Sequence, residues 1–228
     1  DLSRENIKDK LDMQKKFIEE LENRGKQNIQ GKKDKIVTLL DEQDEYSSDN
    51  QGLETQVVDL TEEQEKVTGA NKKLRKLNKF KGQLSQKVST ITKEHKFFTD
   101  NVTCPTCTQE IEESFRLNRI SDAQTKAKEL QSGYQELEKA IKNEEEREHL
   151  FTKLSKEITK LNNGISQNNT RISGHNRQIR DLESEIQKLT DQLANRNTEH
   201  EKLAEFNDNL QNIFKELADK KTEITYHD

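Results

Sequence analysis

The chain has 228 residues, 28% hydrophobic and 36% charged, with no Trp and a mean hydropathy of -1.19. A globular domain of this length is nearer half apolar, so a wide three-dimensional core is excluded, leaving disorder or long helices that bury a narrow stripe. The net charge of -5 comes from 44 acidic and 39 basic residues whose signs are interspersed, as over 9–26; that is the pattern of a solvated helical surface and not of a basic nucleic-acid footprint.

The first element, 1–100, reads as a coiled-coil arm. Every seventh residue from Leu11 gives Leu11, Ile18, Gly25, Lys32, Leu39, Tyr46, Leu53, Leu60, Val67, Leu74, Lys81, Val88, His95 and Val102. Most are apolar, far above the 28% average. Ala70, Leu77, Leu84, Ile91 and Phe98 interleave with them at steps of three and four, the signature of a coiled-coil seam. The stretch 23–33, with two glycines, loses the seam and reads as softer helix.

The next element, 101–120, reads as an apex. It holds both cysteines and the only proline, in Cys104-Pro105-Thr106-Cys107. Proline has no amide hydrogen and disfavours helix at the residue before it, so the first helix should stop near Asn101. Thr106 with Gln109 has the spacing of a capping box that restarts helix, and Ile111, Phe115 and Leu117 could pack toward Phe97 and Phe98.

The last element, 121–228, reads as the second arm. Ser121 with Gln124 is a second capping box. Ile120, Ala123, Ala127, Leu130, Tyr134, Leu137 and Ile141 keep the three-four step, and a further run follows from Phe151 to Leu193. Only Asn168 and His175 are polar in that run. The Asn-rich stretch 161–176, again with two glycines, reads as bendable helix.

The stripes allow the arms to pair with each other or with separate chains. Frame skips near Leu60 and Phe151 are equidistant from the cysteines and favour folding back. That symmetry sets Val88 opposite Ala123, Leu74 opposite Leu137 and Gln43 opposite Asn168. A second arm that begins only at Ser121 would displace the register by one or two heptads. The expected fold is therefore all-α: a long intramolecular antiparallel coiled coil, a helical hairpin with a C-P-x-C turn at its apex.

A C-x-x-C turn lets two sulfurs hold one Zn²⁺ or form a redox disulfide. The redox use needs a βαβ scaffold, and none is readable. Structural zinc takes four protein ligands, and one turn supplies two. His95, His149, His175, His200 and His227 lie on the arms or at the chain end. A second copy meeting tip to tip would complete a four-thiolate site, one Zn²⁺ per two chains, with Cys104 and Cys107 as metal ligands in each. The bland alternative is a parallel two-chain scaffold rod with incidental cysteines.

On this motif the chain resembles the zinc-hook ATPases of DNA double-strand-break repair, SbcC-like relatives of the chromosome-structuring SMC proteins. Their hook is C-P-x-C between antiparallel arms, and Cys104-Pro105-Thr106-Cys107 matches each fixed position. The resemblance implies a tether in which two hooks share one zinc and join identical chains, with Pro105 shaping the turn. It also implies, for a whole protein of that kind, ATPase halves flanking the arms, a nuclease subunit and DNA. The segment itself has no G-x-x-x-x-G-K-[ST] phosphate loop and no nuclease motif, so it is expected to be no enzyme. No run approaches eighteen apolar residues, no signal peptide is visible, and two cysteines do not make a disulfide framework. An intracellular location with DNA is expected, and the missing initial Met suits a segment of something longer.

Overall fold

The computed structural model describes residues 2–226, with side chains over 5–222. Three helices follow in chain order: α1, Leu2–Lys66; α2, Ala70–Asp100; and α3, Glu113–Tyr226. The only proline lies between α2 and α3, so no helix interior loses an amide donor. The helices form two compact units, residues 51–165 and residues 1–50 with 166–228. In each, the first arm packs antiparallel on α3. Among the described residues, no helix is long and apolar enough to cross a membrane.

The buried apolar side chains are Leu39, Val67, Ala70, Ala123, Ile141, Leu154 and Ile179. All lie on the stripes read from the sequence. The core is a narrow stripe along the helix pair, as a seam at heptad spacing dictates.

The pairing register is one heptad away from the symmetric expectation. Asn168, expected opposite Gln43, donates to Asn50 Oδ1 at 3.0 Å, and Asn50 Nδ2 donates to Asn169 Oδ1 at 2.9 Å. Gln43 instead donates to Asn176 Oδ1 at 2.7 Å. Lys73 meets Glu144 at 3.0 Å and Lys81 meets Glu138 at 3.7 Å, so Leu74 is level with Glu144 and not with Leu137. Val88 is likewise displaced from Ala123. The connection is itself asymmetric about the cysteines: three loop residues precede Cys104 and five follow Cys107 before α3 begins. A slide of one whole heptad brings the same seam faces together again.

The glycine-bearing stretches 23–33 and 161–176, read as helix, are helix throughout. A Cβ on Gly25 would lie 2.9 Å from Leu193 Cδ2, so this glycine lets Leu193 approach the backbone of α1. The helices depart from the sequence reading at two other places. The second long helix starts at Glu113, and Ser121 with Gln124 lies inside it. Among the described residues the first arm is interrupted at 67–69, where the periodicity showed no break: Val67 and Ala70 are both seam residues three apart. Here Val67 N–H donates to the Gln64 carbonyl at 3.1 Å and Gly69 adopts φ +82, a left-handed conformation open to glycine at little cost.

α3 is continuous beside this break and braces it. Glu144, 2% exposed, takes an ion pair from Lys73 at 3.0 Å and from Arg147 at 3.0 Å. Arg147 also donates to the Lys66 carbonyl at 3.1 Å, satisfying a carbonyl that the end of α1 leaves without a helical partner. The paired cations hold the Glu144 carboxyl below the usual carboxylate range, the Lys73 hydrogen bond being the largest cause.

Candidate metal centre

The apex loop, 101–112, is built by its backbone. α2 ends at Asp100, and Asn101 turns extended, with φ -124 and ψ 118. Its side chain donates to the Phe97 carbonyl at 2.8 Å. A single antiparallel bridge then joins Thr103 and Glu110. Cys104 N–H donates to the Gln109 carbonyl at 2.8 Å, and Ile111 N–H to the Val102 carbonyl at 2.9 Å. Between the two short extended segments, Thr108 N–H reaches back to the Cys104 carbonyl at 2.9 Å. Thr108 itself takes φ +59, an uncommon conformation for a β-branched residue. The expected capping box at Thr106 and Gln109 does not form: no helix begins there, and the Gln109 carbonyl is engaged by Cys104.

Aromatic side chains buttress the loop from the arm side. Phe98 stacks edge-on against Phe97 at 5.2 Å and against Phe115 at 5.9 Å between ring centroids. Arg116 Nη1 donates to the Phe98 carbonyl at 3.0 Å, tying the start of α3 to the end of α2. The expected packing of Phe115 toward Phe98 is therefore present. Leu117 is exposed instead.

Both thiols are free, Cys104 half-buried and Cys107 exposed. The Cys104 thiol is held below its ordinary pKa, first by the backbone N–H of Cys107, then by that of Thr106 and by the Cys107 side chain. Amide donors aimed at a sulfur favour the thiolate, the form that binds metal. The Cys107 thiol lies 3.8 Å from Gln109 Oε1. Two thiols in one turn, with amide donors already facing one of them, fit half of a tetrahedral thiolate site.

The described residues bring no third ligand to this turn. Among the described residues, no group of three His, Cys, Asp or Glu side chains could hold a metal. Gln124 Nε2 lies 3.4 Å from His95 Nε2, and His175 Nε2 is 2.5 Å from Glu42 Oε2. His149 is exposed, and His227 lies outside the described residues. Nor is there a βαβ scaffold for a thiol-disulfide site; the Thr103–Glu110 bridge is the β pairing among the described residues. The residues that sequence reasoning missed are Glu144, Arg147 and Lys73. Their signal was a charged residue, Glu144, on the stripe between Ile141 and Phe151.

No family model matches the chain, and neither curated proteins nor solved structures give a match.

Proposed function

We propose that this chain is a structural tether whose apex joins a second identical chain through a shared Zn²⁺. Cys104 and Cys107 of each copy supply the four thiolates. The observation that carries this reading is a turn holding two free thiols and no third ligand, at the far end of an antiparallel hairpin. Such a turn is half a site, and the apex is where two arms can meet without obstruction. When bound, zinc supplies the link itself, bonding to thiolates from both chains. This chain's residues set the turn and favour the thiolate at Cys104. Pairing of both arms within one chain suits the tether and does not suit a parallel two-chain scaffold rod.

The similarity of Cys104-Pro105-Thr106-Cys107 to the zinc-hook ATPases extends the proposal. On that reading the arms belong to an SbcC-like, SMC-related protein of DNA double-strand-break repair and recombination, acting with a nuclease subunit on DNA inside the cell. The segment would contribute spacing and joining, not catalysis. The test is zinc content and mass of the purified chain at ~300 mM salt, where contacts between exposed charges are screened, with and without a chelator. About one zinc per two chains, with dimer and metal lost together on chelation, is the expected result. A dimer that persists at that salt without metal, or zinc bound to single chains, would overturn it.

A further inference from the structure

The first arm does not mix its charges throughout. Between Lys35 and Lys66 it carries ten acidic residues and no basic one; from Lys66 to Lys93 it carries nine basic residues and no acidic one. The changeover falls at the helix break, 67–69. Within residues 51–165, α3 neutralises part of the basic block: Lys73 and Lys81 reach Glu144 and Glu138. Lys72, Arg75, Lys76 and Lys79 are exposed and make no ion pair, and neither do Glu54, Asp59, Glu62 and Glu63 before the break. Lys72, Lys76 and Lys79 recur at helical spacing on the side of α2 away from Ala70, Leu77 and Leu84. They are thus directed away from the seam.

We propose that this face docks a second copy of the chain, laid antiparallel so that the basic block of each covers the acidic block of the other. The surface is self-complementary. Reflected about a point between Val67 and Thr68, Lys72 falls on Glu63 and Lys76 falls on Asp59. A single two-fold axis through the break therefore serves both halves, as an isologous interface requires. Parallel, in-register contact would set Lys72 beside Lys72 and be repelled. A polyanion such as nucleic acid would suit the basic block but meet repulsion from the acidic block directly beside it. Two chains lying antiparallel have their apices at opposite ends, so this contact is separate from the apex and independent of the zinc reading. Each exposed pair contributes little, so the contact is weak, salt-sensitive and effective where chains are locally concentrated.

The experiment uses the whole chain carrying Cys104→Ser and Cys107→Ser, so that the apex cannot join copies. Sedimentation equilibrium should show a dimer at ~20 mM salt whose dissociation constant weakens at least about tenfold by ~300 mM, as screening shortens the reach of the charges. Reversing the basic face (Lys72→Glu, Arg75→Glu, Lys76→Glu, Lys79→Glu) should give a monomer. So should reversing the acidic face (Glu54→Lys, Asp59→Lys, Glu62→Lys, Glu63→Lys), and mixing the two variants should restore a one-to-one dimer. Circular dichroism on each variant checks that the helices remain. A monomer at low salt in the parent overturns the proposal, as do reversed variants that fail to pair when mixed. Binding of a labelled oligonucleotide by a parent that does not self-associate would assign the basic block to nucleic acid instead.

Discussion

Glu144 is a carboxylate almost without solvent, and its stability contribution has a sign that pH can read. Its folded pKa is depressed by Lys73 and Arg147. The contribution is therefore fully present above the ordinary carboxylate pKa and is lost as pH falls through the depressed folded value. Glu144→Gln keeps the shape but cannot pair with two cations, leaving them with a buried, neutral neighbour. The variant should melt several degrees below the parent at neutral pH, and the gap should close in acid below the usual carboxylate range. A gap that is constant with pH would show that the ion pairs are not what Glu144 contributes. At the apex, Cys104→Ser or Cys107→Ser removes two of four proposed ligands from a symmetric site. At ~300 mM salt, where the charged faces are screened, dimerisation and zinc content should fall by orders of magnitude while helicity by circular dichroism is unchanged. The cysteines and Pro105 were legible in the sequence because their chemistry is rare and their spacing is fixed. Glu144 was not, because its partners come from another helix and a single acidic letter on a stripe says nothing of who sits opposite.

The elements were legible in proportion to how local their causes are. Seam residues declare themselves by period, and the apolar side chains that are buried lie on the expected stripes. Helix ends near the apex were less legible. The sequence offered two capping boxes, and the chain uses neither: the Thr103–Glu110 bridge engages the backbone at the first, and the second lies inside a helix already begun at Glu113. The break at 67–69 was hidden for the opposite reason: it leaves the seam in step. Gly69→Ala tests whether its left-handed conformation matters. A Cβ at φ +82 costs about 1–2 kcal/mol, and thermal unfolding should register that loss. Gly52→Ala sits in a helix with nothing within 4 Å of the added Cβ and should instead gain about 0.5–1 kcal/mol. Equal effects at the two sites would mean that the break is no more demanding than helix.

For the molecule, the hairpin followed from two matching stripes joined by a proline-bearing turn, a global arrangement that a short connection imposes. What the stripes could not supply was the register. A heptad repeat looks the same after a shift of seven, so polar pairs such as Asn50 with Asn168 are needed to choose among shifts. Spin labels at the exposed positions Gln83 and Glu136 should lie close in a chain diluted with unlabelled protein, because a tethered partner has an effective concentration on the order of millimolar. Distances that vanish on dilution would mean pairing between chains.

The interruption at 67–69 lies beside an unbroken α3, and that asymmetry gives the paired helices a direction of compliance. A helix is stiff because each turn is bonded to the next. Across the interruption that ladder lapses on one side of the pair and continues on the other. Such a pair behaves as a beam with one flange cut: it flexes readily in the plane containing both helices, opening or closing the cut, and resists flexure across that plane. Lys73, Glu144 and Arg147 span the cut and set how much bending it takes to open it.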